Sequence, residues 1–277
     1  MSNDEMGDLF DEWNKTELDS YLIEITAKVL KKKDDQGAEG HVVDYILDKT
    51  GMKGTGRWTV QEAAEQSVAA PTIAAALDSR YISGRKEERE HASKILEGPS
   101  DAPAVDKDQI ISDLKAALYA AKIASYAQGL AIIKAASDKM EWGVDQSLCA
   151  RMWRGGCIIR AKLLAQIEEA LTKDPGLKNL MVDSNFAAEL NSRHMAWRRI
   201  VGLGVASGIA LPAMSSSLGY YDQYRRERLP ANLVQGQRDF FGGHTYERTD
   251  KAGTFHTLWD DTHKDIGDLS GRTAGEL

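Results

Sequence analysis

"DLKAALYAAKIASYAQGLAIIKAASDK", residues 113–139, is the stretch on which the fold turns. It holds no proline and one glycine, and it is rich in Ala, Leu and Ile. Alanine and leucine stand at the favourable end of the helix-propensity scale. Small apolar residues on several faces require neighbouring helices on more than one side. The stretch therefore predicts a central buried helix over 113–138, and a central helix implies a shell of others around it.

Working outward, the flanks supply that shell. "EGPSDAPAVDKD", residues 97–108, has two prolines, one glycine and no period, so it reads as a loop. Upstream, "LFDEWNKTELDSYLIEITAKVLKKK" (9–33) places apolar residues in steps of three to five and predicts one amphipathic helix. "HVVDYILDKTG" (41–51) reads as a shorter helix closed by Gly51. Thr59, with Glu62 three residues on, reads as a capping box for a helix over 60–67. Pro71 marks the start of another helix that runs through "RKEERE", read as a solvated helix face. Downstream, 151–171 predicts a helix interrupted by Gly155 and Gly156, with Trp153 and Cys157 in helix core. Two more helices are expected over 184–206 and 212–226. "EWNKTELDSYLIEI" before "VVDYILD" echoes "MWRGGCIIRAKLLAQI" before "NLMVDSNF". In that echo only the second unit has a long helix in front of it, so the chain reads as starting in mid-fold.

The expected class is all-α: a helical domain over 1–226 and a mostly irregular tail over 227–277. The tail segment 227–259 has four glycines, two histidines and several aromatics. The segment is expected to lie on its own domain or on another subunit, with Phe240, Phe241, Tyr246 and Trp259 as interface core rather than substrate contacts.

The bulk numbers narrow the function. Of 277 residues 42% are apolar and 28% charged, values of a soluble globule. The net charge of −7 argues against nucleic-acid or membrane-surface binding. Cys149 and Cys157, eight residues apart in a helical reading, would lie about 12 Å apart, too far for a disulfide. Two cysteines, and an acidic N-terminus without an apolar core, suggest a reducing, cytoplasmic setting. No run of eighteen apolar residues predicts a membrane span. His41, His91 and His194 are scattered, with no metal-ligand spacing.

One segment carries chemistry. "KGTGRWTV" (53–60) puts glycines, hydroxyls and cations together, the ingredients of a phosphate cradle. Without context such a loop is more often a turn than a ligand site. It is not a nucleotide P-loop, because the order of glycines and lysine is wrong.

"FDEWNKTELDSYLIEIT", "KGTGRWT", "YAAKIASYAQG", "WRGGCIIR", "YYDQYRRERLPANL" and "QRDFFGGHTYER" occur in order between Asp4 and Trp259. Together they resemble the C-terminal part of the NADP-dependent, decarboxylating 6-phosphogluconate dehydrogenases of the pentose phosphate pathway. The resemblance implies a large helical domain and a homodimer whose tails cross between subunits. It implies a sugar-phosphate site built from Lys53, Thr55 and Arg80, joined by Arg238 and His244 of the other subunit. It also implies that the NADP-binding Rossmann domain and the catalytic lysine, asparagine and glutamate belong to sequence before Met1. "GLGVASG" (202–208) lies in a helical context and is no substitute for the dinucleotide turn. Two functions follow: part of the dehydrogenase, inactive alone, or a non-catalytic helical module that keeps the sugar-phosphate site or the dimer surface.

Overall fold

The computed structural model describes residues 1–51, 53–101 and 103–259. Helix makes up 62% of the chain, and the strands among the described residues are two residues long. Two compact units are present, Met1–Tyr221 and Asp222–Leu277.

In the first unit the helix expected over 9–33 is two helices. α1 (Asn3–Trp13) opens with a reciprocal capping box between Ser2 and Glu5. α2 (Tyr21–Lys31) is capped by Ser20. Between them Asn14 Oδ1 accepts the Ser20 N–H at 3.0 Å and the Thr16 hydroxyl donates to Trp13 O at 2.6 Å. Such side-chain bonds offer the backbone an alternative to the helix, and apolar periodicity does not register them. The helix expected at 41–51 shrinks to α3 (Val42–Tyr45).

α4 (Thr55–Glu65) begins four residues before Thr59, which lies inside it and donates to Thr55 O at 2.8 Å. Thr59 is therefore not an N-cap; Gly54 is. α5 (Pro71–Ser83) starts at Pro71 as predicted, and a break at Gly84–Arg85 separates it from α6 (Lys86–Ala92).

α7 (Lys107–Lys139) is the central helix, capped by Asp106 and longer than predicted by a turn and a half at its start. Ala117, Tyr119, Ala120, Ile123, Ala124 and Ala127 are all buried in the main core. By length and composition alone α7 could cross a membrane, but half of the qualifying window is buried within the unit (50%). That burial is the mark of a core helix.

α8 (Gln146–Met152) and α9 (Leu163–Lys173) flank an irregular stretch in place of the expected briefly interrupted helix. Trp153 is the C-cap of α8 and packs against the core, and Cys157 is a half-buried free thiol in the loop, so neither is helix core. After a short 3-10 helix (Leu180–Val182), α10 (Ser184–Ala206) packs along α7 and buries Trp197 completely. α11 (Pro212–Tyr224) follows. The sequence echo has a structural counterpart. The α1–α2 and α8–α9 pairs meet at their turns, where Tyr21 N–H donates to Arg160 O and Lys162 N–H to Asp19 O, both at 2.9 Å.

The second unit, expected to be mostly irregular, contains α12 (Ala231–Gly242). β1 (Tyr246–Glu247) and β2 (Thr254–Phe255) then pair antiparallel. Gly236 obscures the helix in the sequence; in the structure it leaves room for the Trp259 ring, 3.6 Å from where a Cβ would stand. The fully buried Asp239 organises the unit. It accepts from Thr245 N–H (2.9 Å), His256 Nδ1 (2.8 Å), Thr257 N–H (3.0 Å) and Trp259 Nε1 (2.8 Å). Burial alone would raise its pKa, but these donors hold it below the ordinary carboxylate value. Residues 260–277 of the expected tail lie outside the described residues.

Candidate functional site

The segment from Ile46 to Gly54 has little regular structure of its own, and side chains of α5 and α6 hold it in place. Asp48 pairs with Lys86 (2.7 Å) and Arg89 (3.0 Å), and Arg89 also donates to Asp48 O at 2.9 Å. Hydrogen bonds from Lys86 and then Arg89 lower the Asp48 pKa to about 2. Thr50 N–H donates to Ser83 Oγ at 3.1 Å. Arg80 Nη2 donates to Gly51 O. Lys86 and Arg89 thus clamp the loop, where the sequence suggested a merely solvated face. Their partner lies 41 residues from Arg89, and nothing in the local pattern pointed to it.

The clamped loop delivers Lys53 and Thr55 to the start of α4. Gly54 has φ +115°, a left-handed conformation that other residues adopt only with strain. The first α4 bond is Trp58 N–H to Gly54 O at 2.9 Å. The N–H groups of Thr55, Gly56 and Arg57 have no intrahelical acceptor, and no side chain caps them. A Cβ on Gly56 would stand 3.3 Å from Leu77 of α5, so the first turn of α4 rests on α5. Arg80 follows Leu77 by three residues, on the same side of α5. The geometry therefore brings Lys53, Thr55 and Arg80, all exposed, around one loop. A planar guanidinium, a point-charge ammonium, a hydroxyl and uncapped backbone N–H groups can hold an anion.

The other two candidate residues lie in the second unit. Arg238 is exposed on α12, with Nη1 donating to Gln235 at 3.1 Å. His244 follows Gly243, which has φ +59°. A Cβ on Gly242 would come within 2.7 Å of the His244 ring, so only glycine allows the imidazole to lie there. His244 stands edge-on to Phe241, with centroids 6.0 Å apart. Gly243 N–H and Thr245 N–H both donate to Asp239, at 3.0 and 2.9 Å. This buried residue thus fixes the chain on either side of His244. Phe241 and Leu233 are two-thirds exposed (67% and 66%), an apolar face of this unit without cover among its own described residues.

Comparison with known proteins decides the relationship. The family model "6-phosphogluconate dehydrogenase, C-terminal domain" matches residues 1–259. The chain belongs to the 6-phosphogluconate dehydrogenase family. It is 58% identical over 266 residues to the chloroplastic decarboxylating 6-phosphogluconate dehydrogenase 2 of Spinacia oleracea, covering 94% of this chain and 49% of the relative. It is 51% identical to the decarboxylating enzyme of Lactococcus lactis, covering 94% of this chain and 55% of that one. The chain thus spans about half the length of the curated relatives it matches. A solved structure of the Plasmodium falciparum 6-phosphogluconate dehydrogenase superposes with a TM-score of 0.89 at 44% identity, covering 94% of this chain and 56% of that one. That enzyme was studied apo, with its cofactor NADP+ and with its substrate 6-phosphogluconate. The helical fold is that of the family's C-terminal domain.

The described residues do not fit a nicotinamide dinucleotide. Such a cofactor is cradled at a strand–turn–helix crossing, and the strands here are two-residue segments of a hairpin. Gly202 and Gly204 of the "GLGVASG" segment lie within α10. Among the described residues no group of His, Cys, Asp and Glu is arranged to hold a metal. His41 is tied to Asp4 at 3.0 Å and to Lys33 at 2.9 Å.

Proposed function

We propose that this chain provides the sugar-phosphate-binding and dimer-forming part of an NADP-dependent, decarboxylating phosphogluconate dehydrogenase. The whole enzyme would convert 6-phospho-D-gluconate to ribulose 5-phosphate, CO2 and NADPH. One observation carries the reading: the Arg80 guanidinium is hydrogen-bonded to the loop that presents Lys53 and Thr55 at an uncapped helix start. A phosphomonoester is dianionic near neutral pH, and each charge-assisted hydrogen bond to it contributes about 1.5–3 kcal/mol. Salt screens the net repulsion of a −7 chain beyond about 8–10 Å, so a local cluster can prevail.

Arg238 and His244 complete the site from a second copy in this reading, and the uncovered apolar face around Leu233 and Phe241 supports the tail as a dimer contact. The coenzyme and the proton-transfer groups come from outside this chain, as do the steps they perform. The role of this chain is to bind and orient the phosphate end of the substrate. The reading places the enzyme in the cytoplasm, although the spinach relative is chloroplastic.

The test is calorimetric titration of the chain with 6-phosphogluconate, with gluconate as a control that lacks the phosphate. Binding should require the phosphate. Arg80→Ala and Lys53→Ala should each weaken it by about 10-fold or more, with the helical circular dichroism unchanged. Equal binding of gluconate, or variants that bind as tightly as the parent, would refute the reading.

A further inference from the structure

Arg80 stands on α5, and Lys53 and Thr55 stand on the loop before α4. A phosphate can meet all three only while these two segments stay in register. Two direct links join them. Thr50 N–H donates to Ser83 Oγ at 3.1 Å, with the two hydroxyl oxygens 2.8 Å apart, and Arg80 Nη2 donates to Gly51 O. A third link comes from α6. Arg89 Nη1 donates to Asp48 Oδ2 at 3.0 Å, and Nη2 is shared between Asp48 O at 2.9 Å and Ser83 O at 3.2 Å. One guanidinium therefore bonds the loop and the end of α5 at once.

Ser83 is the last residue of α5, so its carbonyl is one of those that a helix leaves without an intrahelical donor. A cation at this point also meets the negative end of the helix dipole. Ser83 Oγ in turn donates to Arg80 O at 2.8 Å, so the residue that Arg89 grips is bonded to the main chain of Arg80. Lys86 reaches Asp48 too, at 2.7 Å, but its other partner is the Glu90 carboxylate at 3.5 Å. An ammonium is a point charge, whereas a guanidinium presents its donors in a fixed planar fork. The Arg89 fork is turned to the oxygens of Asp48 and Ser83 although this leaves Nε shielded and without a hydrogen-bond partner among the described residues. An unpaired buried donor is destabilising, and local rules of this kind are broken chiefly at functional sites.

We propose that Arg89 is a positioning residue of the phosphate site: it fixes Arg80 against the Lys53–Thr55 loop so that one phosphomonoester meets all three, and does not itself touch the substrate. The proposal rests on the reading of this loop as a sugar-phosphate site. Arg80 gives Gly51 O one of its five N–H donors. The direction of the others is set by how the end of α5 sits on the loop, and that is what Arg89 holds. The alternative is that Arg89 serves by charge alone. A lysine would then replace it, because a charge that does not touch the anion needs no particular geometry.

The experiment uses the full chain. 6-Phosphogluconate is titrated by calorimetry into the parent, Arg89→Lys, Arg85→Lys, Arg80→Ala and the Arg80→Ala, Arg89→Lys double variant. Lysine keeps the charge beside Asp48 and loses the bridge to Ser83 O. We expect Arg89→Lys to weaken binding about tenfold. Arg85, exposed and paired with Glu88 at 3.1 Å, is the control, and Arg85→Lys should bind as the parent does. In the Arg80→Ala background the Arg89→Lys loss should shrink to about threefold or less, because the residue that Arg89 positions is gone. Hydrogen exchange gives a readout without ligand: Thr50 N–H should exchange about tenfold faster in Arg89→Lys, with the amides of α7 at parental rates. Binding of Arg89→Lys as tight as the parent's overturns the proposal. So do losses that simply multiply, and so does parental exchange at Thr50. Faster exchange throughout α7 would make Arg89 a general structural residue and overturn it as well. Each of those results leaves the phosphate-site reading standing, whereas a parent that does not bind 6-phosphogluconate refutes that reading and the proposal with it.

Discussion

Replacing Gln128 by leucine should destabilise the first unit by more than any surface change, although Gln128 touches no candidate ligand residue. Gln128 is wholly buried on α7, and Thr72, at the start of α5, is 8% exposed. The two are bonded twice. Thr72 N–H donates to Gln128 Oε1 at 3.0 Å, and Gln128 Nε2 donates to Thr72 Oγ1 at 2.8 Å. The N–H of Thr72 lies in the first turn of α5 and has no acceptor within the helix, and Pro71 before it has no N–H at all. Leucine conserves the volume but leaves two polar groups buried without partners. Each costs about 1–3 kcal/mol, and the added apolar surface returns about 1 kcal/mol. The expected net loss is about 1–5 kcal/mol, or a fall in the melting temperature of about 2–4 °C per kcal/mol for a unit of this size. Urea unfolding measures the loss, and amide exchange locates it: the Thr72 N–H should lose protection first. A Thr72→Val, Gln128→Leu cycle should show a coupling of at least about 1 kcal/mol. A loss below about 0.5 kcal/mol, or strictly additive single changes, would refute the argument that this pair fastens α5, and with it Arg80, to the central helix.

Gly54→Ala should cost about 1–2 kcal/mol because its φ of +115° opposes a Cβ, and it should weaken 6-phosphogluconate binding by displacing the start of α4; an unchanged melting temperature would contradict this. Asp113, buried on α7, is held below the ordinary carboxylate pKa first by the two hydrogen bonds from Arg199, both 2.7 Å, against the effect of burial. A depressed folded-state pKa adds stability above the unfolded value, near pH 4, and that stability is lost as pH falls through the folded value. Asp113→Asn should therefore flatten the acid limb of the stability–pH curve, and an unaltered limb in equilibrium unfolding from pH 2 to 6 would count against the pair. The purified chain with 6-phosphogluconate and NADP should form no NADPH above background, as followed by absorbance, because the strands among the described residues are a two-residue hairpin and build no strand–turn–helix cradle for a dinucleotide; measurable turnover would show that assignment to be mistaken.

The sequence by itself determined the class of the fold, the central helix and its preceding loop, and the positions of the last two long helices of the first unit. Those features rest on composition and on period, which any neighbour of the right character can satisfy. It also carried the family motifs, because glycines, hydroxyls and cations at short spacing are read as chemical types. What it misplaced were boundaries decided by a few local bonds: the Asn14–Ser20 turn that splits α1 from α2, the left-handed Gly54 that starts α4 before Thr59, and α12, hidden behind Gly236. Only the tertiary structure brought distant residues together. Asp48 meets Arg89 across 41 positions and Thr72 meets Gln128 across 56, and neither pair follows a helical period. The same holds for Lys122, which in the sequence is one more lysine on an alanine-rich helix. The fold makes it an ammonium shielded beside Leu18, Ile23 and Leu118, with no hydrogen-bond partner among the described residues, because burial and pairing depend on what packs around a residue and not on its place in the chain.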